Sequence, residues 1–345
     1  MVGYVSLRCW LRPFLTAPEI GRRRGSWVVY RSRMTSDPPH PAVTRVSRQA
    51  GIENLADILA SLPGSDFASL LLGVSRSRVE ACSAAHVMSQ RTRDRFVWPA
   101  AIDFHQLRWV QDAAIAAVRN SFEFVTLAPL VPFGTHASLG DVSQNNVVTT
   151  VRGTEVAADP TNALAIEAAM RRIERVDSGV RLAAIQRVVR AQRFSGSRSF
   201  AHFELLGLVS ADRDSGNHDF AVDEIVRHAE VVAGIVVACG ATSVRIRVSD
   251  FSGRLHIGVD RVLDGLRERR IVADEWAERE AGRGYYPELC FKVVGVFDGE
   301  AVEVGDGGLV AWTQLLLNNA KERLLISGLS LERLAMLRSP RPDPC

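Results

Sequence analysis

Neither of the common phosphate-cradling loops, G-x-G-x-x-G or G-x-x-x-x-G-K-[ST], occurs in this chain. A dinucleotide-binding or P-loop reading therefore has no support. Metal-ligand spacing is absent too. The five cysteines (Cys9, Cys82, Cys239, Cys290 and Cys345) are odd in number and scattered. His105, His136, His202, His218, His228 and His256 form no H-x-x-x-H pair. No serine or cysteine stands in a recognisable nucleophile signature. The longest apolar run, around Cys239, is too short to span a bilayer, so no membrane partner is expected and Cys239 reads as core. Unpaired cysteines fit a reducing, cytoplasmic setting.

A basic body is also missing. The formal charge is +3, but residues 1–33 hold seven arginines and one acid, leaving 35 basic and 38 acidic residues in the remainder. DNA coating is excluded on that balance. The first 33 residues have no apolar core for a secretory signal. An arginine-rich, acid-poor start fits a transit peptide or a start codon set too early. The arginines share no helical face, which favours Met34 as first residue. Residues 1–45 are read as an extension and linker, 46–100 as a helical extension, 101–335 as the main domain and 336–345 as a tail.

What is present is a globular composition, 47% apolar and 23% charged. Helical periodicity covers residues 103–120, where Leu107, Val110, Ala114 and Val118 make one face. Strands are expected over 122–130 and 147–151. Asp159 and Pro160 cap a helix running to about Arg175. Helix 222–239, strand 244–248 and paired strands 290–297 and 303–310 follow. A short helix at 313–319 and strand 324–328 lead into a last helix near Leu331. Trp312 reads as a core anchor, and Lys321, Glu322 and Arg323 as a solvated charge cluster. Antiparallel strands with helices at the margins predict an α+β fold.

The richest stretch is 188–207, VVRAQRFSGSRSFAHFELLG. Two strands flank a turn at Ser195, Gly196 and Ser197. Arg190 at the end of the first strand can hold a phosphate through its forked N–H donors. Arg193, nearer the turn, reads as solvated. Phe200, His202, Phe203 and Glu204 cluster on the return, and His202 is the histidine expected near a pocket.

These residues, with three other segments in order, resemble the class II aminoacyl-tRNA synthetase core. The branch is that of histidyl-tRNA synthetase and the regulatory subunit of ATP phosphoribosyltransferase. FEFVTLAP at 122–129 is similar to the first motif, a dimer-interface element, so the resemblance implies a homodimer. VTTVRGTE at 148–155 looks like the amino-acid-receiving turn, giving Thr154 and Glu155 the substrate ammonium. Arg190 matches the second-motif arginine on the ATP α-phosphate, Phe203 the adenine-stacking aromatic, and Glu204 a polar substrate contact. SGLSLERL at 327–334 resembles the third motif, placing Glu332 and Arg333 at the outer phosphates. GRGYY supplies Arg283 for the carboxylate and Tyr285 and Tyr286 for the pocket. ATP and Mg²⁺ are the implied cofactors.

The departures bear on function. Gln192 stands where the second motif keeps a glutamate, and Ser330 where the third keeps a glycine. The GRGYY spacing is two residues short, and DGGLV at 306–310 lacks the usual arginine, tyrosine and aspartate. Twelve residues follow Arg333, so an anticodon-binding domain is not expected and tRNA is an unlikely partner. Three functions follow from the resemblance. The first is activation of an amino or other carboxylic acid as its adenylate, with a small molecule or carrier protein as acceptor. The second is a silent regulatory subunit with an enzyme partner. The third is a paralogue that contacts only the tRNA acceptor end.

Overall fold

The computed structural model describes residues 40–175, 178–192, 200–213 and 216–337. The chain divides into two compact units, Met1–Leu62 and Pro63–Cys345. The described part of the first unit holds two helices, α1 (Pro41–Ala50) and α2 (Leu55–Ala60). Helix α1 has proline in its first turn, and left-handed Gly51 closes it. It begins inside the segment read from the sequence as linker.

The second unit opens with α3 (Gly64–Glu80), α4 (Ala84–Arg93) and α5 (Phe104–Val118). Next come β1 (Glu123–Phe124), β2 (Leu130–Pro132), α6 (Thr135–Gly140), β3 (Thr154–Val156) and α7 (Pro160–Glu174). The long strands β4 (Val180–Val189) and β5 (His202–Arg213) precede α8 (Asp219–Ala238), β6 (Ser243–Asp250), α9 (His256–Glu268) and β7 (Val272–Glu275). The unit ends with β8 (Leu289–Phe297), β9 (Glu300–Val310), α10 (Trp312–Leu317), β10 (Glu322–Ser330) and α11 (Leu331–Leu337).

One eight-stranded sheet runs β1-β4-β5-β10-β9-β8-β6-β7. Its interior pairings are antiparallel, and β1 and β7 join the two edges in parallel. The α+β expectation holds. Side-chain alternation gives the sheet two faces. On one, α5, α8, α9 and α11 bury Leu206, Leu208, Phe291, Val293, Leu325 and Leu329. On the other, α7 and α10 cover Val180, Leu182, Val209, Ala211, Leu324 and Ile326. Pro160 lies over Gly207, where a Cβ would come within 2.8 Å of its Cγ. The glycine lets α7 sit close to the sheet.

Cys239 is fully buried and Trp312 is in the second core, as read from the sequence. Four local readings change. The single strand expected over 122–130 is instead the two-residue β1 and, from Leu130, the start of β2, in different sheets. Residues 147–151 form no strand; Thr149 makes an isolated bridge to Glu155, and the strand there is the three-residue β3. The β-branched run is too short and too close to Gly153, in the left-handed region, to extend a ladder. Strand β7 was not anticipated; at four residues it carries little periodic signal. Glu322 is not solvated: it is buried and receives Arg172 at 3.1 Å and Arg213 at 3.3 Å. The hairpin of β4 and β5 forms with Val189 opposite His202. Its turn, with Arg193, lies outside the described residues.

Candidate active-site cleft

A two-lobed cleft opens on the α7 face of the sheet. The inner lobe is a cavity of about 270 Å³ and the outer about 400 Å³. Asp159, Arg190, Asp306 and Gly328 line both and mark their junction. The strand ends explain why these four meet. Arg190 follows β4, Gly328 and Asp306 are paired across β10 and β9, and Asp159 caps α7.

Arg190 is held from several directions. Its Nε donates to Ala158 O at 3.0 Å, its Nη2 donates to Asp159 Oδ2 at 3.2 Å, and its guanidinium stacks 5.1 Å from the Phe203 ring centroid. Its backbone N–H donates to Ala201 O. These contacts fix a planar cation with an aromatic platform beside it.

The outer lobe adds Phe203, Arg333, Glu332 and Lys292. Arg333 is exposed and donates from Nη1 to Glu303 O at 2.6 Å. Lys292 Nζ lies 3.1 Å from Glu303 and 3.5 Å from Asp306. Glu332 faces Arg187 at 2.7 Å, yet burial raises its carboxyl above the usual carboxylate range. Lys292 was missed in the sequence. A lysine between Phe291 and Val293 in an apolar strand was the available signal.

The inner lobe adds Tyr285, Tyr286, His136, Thr161 and Asn162. Burial pushes both tyrosines well above the ordinary phenol range, reinforced by Asp159 and Asp306, so both stay protonated donors. They pack edge to face at 4.9 Å. Gln192 lines this lobe.

Several residues picked from the sequence lie elsewhere. Glu155 is fully buried and lines neither lobe. Its oxygens accept from the Gly134 and His136 N–H groups at 3.1 and 2.9 Å, and from Gln144 Nε2 at 3.3 Å. It ties the start of α6 rather than facing a substrate. Thr154 is bonded to Thr150 within the same turn at 2.7 Å. Asp159 does reach the cleft; read from the sequence only as a helix cap, it does both jobs, accepting from Thr161 N at 2.9 Å.

Glu204 faces the opposite side of the sheet from Phe203, accepting from Gln111 Nε2 of α5. His202 shares that side, its ring between Trp98 O at 2.6 Å and Arg187 at 3.1 Å. Arg283 lines neither lobe; it pairs with Glu280 at 3.2 Å and stacks on Phe251. The guanidinium directed toward the cleft wall is Arg279, fully buried, with Nη2 3.7 Å from Asp306. Lys321 lines neither lobe.

The donor set suits an adenosine polyphosphate. An aromatic platform and three cations (Arg190, Arg333, Lys292) line the outer lobe, against four acids (Asp159, Glu303, Asp306, Glu332). Among the described residues no three His, Cys, Asp or Glu side chains converge as a metal cage. Mg²⁺ needs only one or two protein carboxylates when phosphates supply the rest, and Glu303 lines the outer lobe.

No family model matches the chain, and no curated protein matches it. In three dimensions it is similar to an ATP phosphoribosyltransferase regulatory subunit/histidyl-tRNA synthetase from Bacillus halodurans C, with TM-score 0.57 and 10% identity over 70% of this chain and 83% of that one. It is similar to apo histidyl-tRNA synthetase from S. aureus, with TM-score 0.55 and 13% identity over 69% and 68%. A histidine–tRNA ligase subunit from Alicyclobacillus acidocaldarius gives TM-score 0.54 and 14% identity over 70% and 95%. At these identities the likeness is one of fold: the chain has an α+β architecture like that of these class II aminoacyl-tRNA synthetase-type structures.

Proposed function

We propose that the cleft binds ATP with Mg²⁺ in its outer lobe and a small amino or other carboxylic acid in its inner lobe, and joins the acid to the α-phosphate as an acyl-adenylate with pyrophosphate as the leaving group. One observation carries this reading: Arg190 lies at the junction of the lobes, oriented by Ala158 and Asp159 and stacked on Phe203. An acid carboxylate attacking an α-phosphate there develops negative charge beside a fixed cation. Phe203 offers a face for adenine, and Arg333 and Lys292 the charge for the outer phosphates. Asp159 and Asp306, not Glu155, face an ammonium. Holding the two reactants in adjoining lobes supplies much of the rate through orientation. Mg²⁺, when bound, neutralises the phosphates. The acyl acceptor is a small molecule or carrier protein.

The test is pyrophosphate exchange into ATP, screened over the twenty amino acids and a set of non-standard acids. The reading requires exchange with at least one acid and its loss in Arg190→Ala. Silence over the panel, with ATP still bound, favours a second reading, a regulatory subunit that retains the pocket without the chemistry. The pairing of Arg190 with Asp159, which offsets part of its charge, supports that alternative.

A homodimer completes the proposal. Phe104 and Ile115 of α5 and Leu130 and Phe133 around β2 are exposed apolar side chains in the region resembling the first motif. Sedimentation should give near twice 37.8 kDa. No helix among the described residues is long and apolar enough to cross a membrane. A cytoplasmic location remains part of this reading.

A further inference from the structure

Just past the end of β4, two successive backbone carbonyls turn toward one cation. Arg95 Nη2 donates to Ala191 O and to Gln192 O, the latter at 3.3 Å. In an extended strand successive carbonyls point to opposite sides, so the chain bends here, directly after Arg190. The shared guanidinium offsets the repulsion between two carbonyl dipoles turned the same way. The N–H groups of the bend are held as well. Arg190 N–H donates to Ala201 O at 2.8 Å, and Ala191 N–H to Asn146 O at 3.0 Å. Asn146 and Gln192 line the inner lobe, and Arg190 lines both lobes.

Arg95 reaches this bend from a built support. It opens the short 3-10 turn Arg95–Val97, which Asp94 caps by accepting from the Phe96 N–H at 2.9 Å. Its guanidinium lies 4.6 Å from the Phe96 ring centroid. Trp98 ties the turn on two sides: its Nε1 donates to Arg91 O at 2.9 Å, and its carbonyl accepts from His202 Nε2 at 2.6 Å. His202 stands opposite Val189 in the β4–β5 pairing. Residues 95–98 thus grip both strands of the hairpin at the cleft end, and neither Arg95 nor Trp98 lines a lobe.

We propose that Arg95 is a positioning residue for the inner lobe: by holding the Ala191 and Gln192 carbonyls it fixes the backbone that presents Gln192 to the lobe, and so sets the affinity for the acid substrate. This rests on the acid-binding reading of the lobe given above. ATP affinity depends on Arg95 less. Gln192 does not line the outer lobe, and the Arg190 guanidinium has its own anchors in Ala158 O and Asp159.

The experiment compares the full chain with Arg95→Ala, Arg95→Lys and, as a control, Arg93→Ala, an exposed arginine at the end of α4. Backbone hydrogen exchange reads the position of the bend. In Arg95→Ala the Ala191 amide should exchange roughly tenfold or more faster, the scale of one charge-assisted hydrogen bond, while amides of β8 and β10 keep their rates. Pyrophosphate exchange into ATP, with the most active acid of the panel, reads the consequence. The KM for that acid should rise roughly tenfold while the KM for ATP changes by less than about twofold. Arg95→Lys keeps the charge and one donor, so both effects should be smaller in the same direction, and it decides alone where the alanine variant does not fold. Arg93→Ala should match the parent. An unchanged Ala191 amide, or an acid KM equal to the parent's, overturns the assignment and leaves the acid-binding reading intact. Faster exchange throughout β8 and β10, or an equal rise in both KM values, shows a general structural role and overturns it too. If the parent exchanges with no acid, the acid-binding reading fails and this inference fails with it.

Discussion

Asp159 Oδ2 accepts from Arg190 at 3.2 Å while its Oδ1 caps helix α7 through Thr161 N at 2.9 Å. One carboxylate thus links the helix start to the cation at the junction of the cleft. Asp159→Asn retains the capping oxygen, and asparagine caps about as well as aspartate. The helix should survive with little change in melting temperature. The negative charge is lost, so amino-acid affinity should fall, by roughly tenfold for a charge-assisted contact. Arg190→Ala should weaken ATP by a similar or larger factor. Arg245→Ala is the control: its guanidinium pairs with Asp274 at the far end of the sheet. Equal losses by calorimetry in both arginine variants would contradict the assignment of Arg190.

Gly328 and Gly307 separate occupancy of the cleft from integrity of the sheet. A Cβ on Gly328 meets nothing within 4 Å, and the residue lines both lobes. A Cβ on Gly307 would fall 2.6 Å from Ile326 O and 2.7 Å from the Phe291 ring. Gly328→Val should fill the cleft, abolish ATP and acid binding, and leave thermal stability nearly unchanged. Gly307→Ala should cost about 1–3 kcal/mol through overpacking. Thermal melts paired with ligand titrations distinguish the two outcomes.

Glu322 is a buried acid between two arginines, Arg172 of α7 and Arg213 of β5. Arg172 is itself buried and also donates to Ser178 O at 2.6 Å. Removing the carboxylate leaves the buried Arg172 with only the partly exposed Asp212, 3.3 Å from its Nη1, as a counter-charge. Glu322→Ala should therefore destabilise toward the lower end of the about 3–5 kcal/mol that breaking a buried pair costs. Lys321→Ala, next to it but exposed, should change stability by less than about 0.5 kcal/mol. Chemical denaturation of both variants checks the contrast.

The long elements were legible because their signals are local and repeated. The face of Leu107, Val110, Ala114 and Val118 specifies α5, and Asp159–Pro160 specifies the start of α7. Phe203, Arg190, Arg333 and the two tyrosines line the cleft. Glu204 could have been rejected from the sequence alone. In a strand, neighbouring side chains point to opposite faces, so Phe203 and Glu204 could not both line one pocket. Glu155 and Arg283 are different. Nothing in a short loop sequence tells whether its acid turns outward to a ligand or inward to the Gly134 and His136 amides. The burial of Arg279 instead of Arg283 depends on tertiary packing around Phe251 and Tyr286.

His228 of α8 should make the protein acid-sensitive well above the carboxylate range. Its ring is fully buried between Ser210 Oγ and Ser327 Oγ, each at 2.8 Å, and lies edge to face on Phe122. Burial lowers its pKa from 6.5 to about 3, with Glu224 opposing and Arg181 and Arg227 assisting. The unfolded chain therefore binds the proton first as pH falls. Stability from this group is complete above about pH 6.5 and is lost progressively toward pH 3, at about 1.4 kcal/mol per unit. Glu224 contributes in the same direction at lower pH. Burial raises its pKa, but hydrogen bonds from Arg181 and Ser210 outweigh that and leave it below 4.5. Over the interval from pH 6.5 to 5, above the range of Glu224, the expected loss from His228 is about 2 kcal/mol, and the variant separates it from the other histidines. His228→Gln removes the titration while leaving a side chain that can both donate and accept. Its stability, measured by urea unfolding, should be flatter over that interval than the parent's. Parallel slopes in parent and variant would show that His228 is not the group responsible.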